Sequence, residues 1–212
     1  DEVVDELDQR LRSALLLRVS DGAGRLSRLE TRLARRAPTT QLRELGLREL
    51  ALRRPGVEIH LVEEGGVRLP NRLDGGDVHV VINAGVEDRF RCRLLYPVYM
   101  LAVLPKGHQL SGRAVIEVAQ LSDEPLLRLG RGFASRDWFD AACQIARIKP
   151  QVLLESAAPQ TLIALAAAGK GIALVPSTVQ ISARKVRALP LVHRKAPIGR
   201  WLNIAWYPQR FL

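Results

Sequence analysis

The sequence predicts an α/β protein, and three observations carry that prediction. Short apolar runs such as Val78–Ile82, Val98–Leu104 and Ile172–Val175 have the length and composition of strands. Between them lie segments whose apolar residues recur at helical spacing, as Trp138, Phe139, Ala142 and Ile145 do. With 212 residues the chain can form one large domain or two small lobes, each burying a core of its own.

In chain order, Val4, Leu7, Leu11 and Ala14 follow a 3,4,3 spacing that predicts a helix over 1–20, with acidic residues at its start to suit the helix dipole. Its apolar seam suits a dimer-forming or linker helix, or else a helix folded on its own domain, and Asp21-Gly22-Ala23-Gly24 stops it. Thr31 to Ala34 reads as a short strand, and Gln41 to Arg53 as a helix with Thr39 or Thr40 as its N-cap. Pro55-Gly56 breaks that helix before the alternating strand Val57 to Val62. A helical piece near Leu69 to Leu73, the turn Asp74-Gly75-Gly76 and the strand Val78 to Ile82 complete a β-α-β-α-β order, which predicts a parallel sheet covered by helices.

Further on, the strand Val98 to Leu104 is stopped by Pro105-Lys106-Gly107, and a short helix at Glu117 to Leu121 precedes the strand Leu126 to Leu129. A helix over Ser135 to Arg147, a strand over Val152 to Leu154 and a helix over Pro159 to Ala168 come next, the last with Pro at its start and Gly169 at its end. Ile172 to Val175, Leu189 to Val192 and Leu202 to Trp206 read as the closing strands.

Composition narrows the function. The chain is 47% hydrophobic and 25% charged, as folded globular proteins are, and no apolar run approaches the roughly 20 residues that span a bilayer. The acidic opening Asp1, Glu2, Asp5, Glu6 is unlike a secretory leader, so a cytoplasmic location is expected. Cys92 and Cys143 form no CxxC pair, and His60, His79, His108 and His193 show no metal-ligand spacing, so neither a metal nor another cofactor is expected. The net charge of +10 suits DNA, an anionic ligand or simply a solvated basic surface.

Five segments together resemble the effector-binding domain of LysR-type transcriptional regulators: RRPGVEIHLVEEG (53–65), LDGGDVHVVI (73–82), VYMLAVLPKGHQLSG (98–112), QLSDEPLL (120–127) and QTLIALAAAGKGIALVPSTV (160–179). The resemblance covers 31 to 206. It implies the fold of type 2 periplasmic binding proteins, two Rossmann-like lobes joined by a two-strand hinge and preceded by a linker helix. Lobe I would comprise 30–97 with 183–212, and lobe II 98–182. The family's first strand has two registers here, at Leu26 or at Leu33; the later one gives the usual distance to Val57. The chain also stops soon after Tyr207-Pro208, where family members commonly continue into a final helix.

The resemblance further implies a small organic anion held between the lobes, and a homodimer or homotetramer built in part through Val4, Leu7 and Leu11. DNA would be met only through a winged helix-turn-helix absent from these 212 residues, and no membrane is involved. Candidate effector-binding residues lie where strand ends meet helix starts. Thr39 and Thr40 offer hydroxyls beside free N–H groups, or only cap their helix. Gly65 and Gly66 allow close backbone approach, or only turn the chain. Asn83 ends a strand as a polar contact or a turn former. Gly132 shapes a loop in which Arg131 can pair with an anion and Phe133 can supply an apolar wall. Ser156 and Gln160 are weaker candidates at the next helix start.

Enzymatic activity is not expected. No GxSxG elbow, HExxH pair, GK[ST] phosphate loop or Cys with an evident His partner is present. A solute receptor for a transporter, which would share the fold, is the competing reading.

Overall fold

The computed structural model describes residues 52–53, 60, 62, 66, 68–85 and 88–207. The seam Val4, Leu7, Leu11, the helix starts at Thr39 and Thr40, Gly65 and the strand expected over 57–62 lie outside the described residues, His60 and Val62 excepted. The chain divides into two compact units. It passes from the first to the second between Tyr96 and Pro97, and returns between Arg200 and Trp201.

In the first unit, helix α1 (Leu69–Gly75) takes Pro at its start and is closed by Gly76 at φ +81°, whose N–H returns to the last turn. The Asp74-Gly75-Gly76 turn read from sequence is therefore the end of this helix. Strand β1 (Val80–Asn83) pairs antiparallel with β9 (Gly199–Trp206) from Val80 opposite Trp206 to Asn83 opposite Asn203. Leu73, Val81, Phe90 and Ala205 form a small core, against which Tyr207 packs, its ring edge-on to Phe90.

The second unit is built on one mixed sheet. Strand β2 (Arg91–Pro105) pairs antiparallel with both β6 (Ile172–Pro176) and β7 (Val186–His193). Strand β4 (Pro125–Leu129) lies between β6 and β5 (Gln151–Ser156) and runs parallel to both. The two-residue strands β3 (Ile116–Glu117) and β8 (Ala196–Pro197) flank β7. Helix α2 (Ala134–Ala146) connects β4 to β5, and α3 (Pro159–Ala167) connects β5 to β6.

Because β5 and β6 lie on opposite sides of β4, the two right-handed crossovers place α2 and α3 on opposite faces of the sheet. Strand residues alternate accordingly. Met100, Ala102, Leu104, Leu126, Ile172 and Leu174 face the α2 side, whereas Leu101, Val103, Leu127, Leu129, Ala173 and Val175 face the α3 side. Burial of both faces is why these strands read as unbroken apolar runs.

The structure corrects four expectations. The sheet of the second unit is mixed, and the described pair of the first unit is antiparallel, because β2, β7 and β9 return against their neighbours. Residues 183–200, expected in lobe I, belong to the second unit, since β7 is hydrogen-bonded to β2 and β3. On α2, Ile145 is 65% exposed, and Phe139, Ala142 and Cys143 are buried instead. The segment expected as a helix at Glu117 to Leu121 is a single 3-10 turn, Val118–Leu121, closed by a reciprocal Glu117–Gln120 capping box.

Candidate functional site

Parallel strands collect ligand-accessible loops at their carboxyl ends, where helices start. In the second unit β4 and β5 end side by side, and the Gly130 N–H donates to the Ser156 carbonyl at 3.1 Å, so the loops leading to α2 and α3 leave the sheet together. Neither helix has a side-chain N-cap. The Arg136 N–H instead closes on the Phe133 carbonyl at 2.9 Å and the Thr161 N–H on the Ala158 carbonyl at 3.1 Å, while Pro159 has no N–H to offer.

The α2 loop is Gly130-Arg131-Gly132-Phe133. Gly132 has φ +97°, in the left-handed region that favours glycine. Arg131 is exposed and has no ion pair among the described residues. Phe133 is half-buried and packs on the α3-side cluster with Leu127, Leu129 and Leu162. It therefore anchors the loop to the sheet, a role the expected apolar wall did not include. Ser156 accepts from the Ala158 N–H at 3.0 Å, while Gln160 donates to the Gln180 carbonyl at 3.1 Å, so both weaker candidates brace the start of α3.

Beside the α2 start lies a shallow depression lined by Met100, Arg128, Leu129, Ser135, Arg136 and Phe139. Ser135 is 6% exposed, the one buried polar residue among the described residues. The two arginines are engaged. Arg128 donates to Asp140 at 2.6 Å and to Glu155 at 2.9 Å, and Arg136 donates to Asp140 at 2.8 Å and to Glu155 at 2.9 Å. This four-membered ring ties β4, β5 and α2 together.

Its electrostatics follow from that geometry. The hydrogen bond from Arg128 holds the Glu155 carboxyl below the usual range, with the Arg136 charge adding and burial opposing. Burial works against the charge on Arg136, yet bonding to Asp140 and Glu155 more than offsets it and raises the pKa. Cys143, inside the same helix, is pushed up to about 11 by burial, with the Asp140 charge adding, so its thiol is unreactive at neutral pH.

In the first unit the structure joins two candidates. The Asn83 amide donates to the Gly66 carbonyl at 2.8 Å and its oxygen accepts from the Ala84 N–H at 2.8 Å. A Cβ on Gly66 would stand 2.5 Å from that amide oxygen, so glycine is what permits the approach. Both polar ends of Asn83 are thereby used by backbone. Among the described residues, no group of His, Cys, Asp and Glu converges as a metal site would need.

Sequence reasoning did not reach Ser135 or the ionic ring. The i,i+4 spacing of Arg136 and Asp140 was a legible signal for one pair. The Arg128–Glu155 contact depends on strand register, which no local pattern reveals.

Comparison with known proteins agrees with this architecture. The family described as the LysR substrate binding domain matches residues 46–212. The transcriptional regulator YybE of Bacillus subtilis is 25% identical over 74% of this chain and 54% of its own length. The dual regulator OxyR of Escherichia coli is 30% identical over 62% of this chain and 44% of its own. The chain thus spans about half the length of the curated relatives it matches. Among solved structures, the Synechocystis CcmR regulatory domain in complex with 2-PG superposes with a TM-score of 0.71 at 19% identity, covering 81% of this chain and 84% of that one. The effector binding domain of QuiR in complex with shikimate gives 0.63 at 17% identity, covering 76% of this chain and 80% of that one.

Proposed function

This chain belongs to the LysR substrate-binding-domain family, and from that premise we propose that it is the effector-sensing part of a bacterial transcriptional regulator. A small organic anion binds, and its differential affinity for two conformations shifts their balance. The signal reaches DNA through a helix-turn-helix module outside these residues, within a cytoplasmic homo-oligomer whose seam includes Val4, Leu7 and Leu11. No catalysis is involved. The observation that carries this reading is the family match over 46–212, together with relatives named as transcriptional regulators.

The anionic character of the effector is supported by the loop after β4. There Arg131 is exposed and has no ion pair among the described residues, just before the start of α2. CcmR and QuiR, which share the fold, are bound to 2-PG and to shikimate. Thr39, Thr40, Gly65, Gly66 and Asn83 are proposed as further effector-binding residues.

A thermal-shift screen with organic acids, including 2-PG and shikimate, tests the proposal. At least one acid should raise Tm, and Arg131→Ala should remove most of that rise while leaving the apo Tm unchanged. An undiminished response in Arg131→Ala would reject the assignment of Arg131. Turnover of any acid in the panel would reject the non-enzymatic reading.

A further inference from the structure

Charge is unevenly distributed along the chain. After Glu155 no Asp or Glu follows as far as Leu212, while lysines and arginines continue. The fold brings some of these late cations against earlier ones. The Lys106 N–H donates to the Lys185 carbonyl at 3.3 Å, and the Arg187 guanidinium donates to the Arg113 carbonyl at 3.4 Å. The β2–β7 register sets Leu104 opposite Arg187 and Pro105 opposite Val186, and Arg184 precedes Lys185 in the turn that enters β7.

Five cationic side chains are thus carried by neighbouring backbone at one end of the second unit. Lys106, Arg113, Arg184 and Lys185 are exposed, and none has a carboxylate partner among the described residues. Glu124, which is bonded to the loop that carries Lys106, is already engaged by His108 and Gln109. The contrast with Arg128 and Arg136, each held by two carboxylates, shows that this chain neutralises arginines elsewhere. A like-charged cluster repels itself unless an external anion answers it.

We propose that this basic end is a contact surface for the phosphate backbone of duplex DNA. The surface goes beyond the proposed function, which assigns DNA contact to a separate module. Segments 104–115 and 182–190 contain no aromatic residue. They therefore lack the stacking platforms that grip single strands and the aromatic anchors typical of interfacial membrane binding. Exposed cations without such platforms suit regularly spaced phosphates, which they bind without reading sequence.

The test measures binding of the 212-residue chain to a random-sequence DNA duplex by fluorescence anisotropy across a salt series. Four phosphate contacts give a slope of log K against log salt of about −3.6, at roughly −0.9 per contact. Replacing Lys106, Arg113, Arg184 and Lys185 together with Gln should remove about 3.5 of that slope. Replacing Arg147, Lys149, Lys170 and Arg200 with Gln changes the net charge equally and should remove less than one. Circular dichroism and thermal unfolding confirm that both variants fold, and any variant that does not is replaced by its single substitutions. Equal losses in the two variants, or no duplex binding at low salt, would overturn the proposal. So would equal or tighter binding to phosphatidylserine-containing vesicles or to single-stranded RNA. The assay contains no effector, so its failure leaves the thermal-shift result standing, and the reverse also holds.

Discussion

The two faces of the second unit's sheet are covered by helices held in different ways. Helix α3, PQTLIALAA, carries no charged residue, and it seals its face through Leu162, Ile163 and Ala166. Helix α2 buries Phe139, Ala142 and Cys143, and adds an ionic ring through Arg136 and Asp140 to Arg128 and Glu155. Apolar burial is non-directional and indifferent to pH, whereas the ring fixes one orientation and responds to protons and salt. The same sheet therefore has one face that depends on volume alone and one that also depends on charge. The α2 face borders Ser135 and the loop that bears Arg131.

The largest expected effect tests what the faces share. Phe139→Ala and Leu162→Ala each empty a fully buried site, and should cost about 3–5 and about 2–5 kcal/mol respectively in denaturant unfolding. Both losses should be the same at low and high salt. A salt-dependent loss for Leu162→Ala would erase the distinction between the faces.

A smaller effect isolates the ring. Arg128→Gln leaves Asp140 and Glu155 short of a partner, and since both carboxylates are about two-fifths exposed the cost should be about 1–2 kcal/mol. That cost should shrink as salt rises. A double-mutant cycle with Glu155→Gln should give a positive coupling, and a coupling of zero would show that the ring contributes nothing.

The smallest effect is a pH dependence. The Glu155 pKa is lower in the folded protein than in the unfolded chain, so its contribution is present above the ordinary carboxylate range, near pH 4.3. It is lost as pH falls through the lower folded value. Unfolding followed from about pH 6 to pH 3 should show this slope in the parent chain, and a shallower one in Glu155→Gln. Identical slopes would remove Glu155 from the account.

Much of the second unit was legible in sequence because its strands are buried on both faces and its helices are bounded by Gly and Pro. The run at Ile172–Val175 and the Pro159 start of α3 needed no tertiary information. The buried stripe of α2 was misjudged at Ile145. A 3.6-residue repeat admits overlapping stripes, and the position of the sheet chose the one through Phe139 and Cys143. Strand β2 was read from Val98 yet begins at Arg91, because Arg91, Arg93 and Pro97 interrupt the apolar run that signals a strand. Of the candidate site, Gly66, Asn83 and the loop at Gly132 are each legible in sequence, but not that Gly66 and Asn83 meet, that Asn83 is satisfied by backbone or that Phe133 is an anchor.

Local composition, periodicity and turn chemistry determined that this chain is α/β, where most of its longer helices and strands fall between residues 69 and 206, and which family it resembles. These properties arise between residues a few positions apart, where sequence distance and spatial distance coincide. Tertiary structure decided that β2 and β7 run antiparallel within the second unit, that Arg128 meets Glu155, and that Lys106 lies beside Lys185. Each of those contacts joins residues more than 25 positions apart, and their meeting is fixed by strand register and chain direction, which act only once the sheet has assembled.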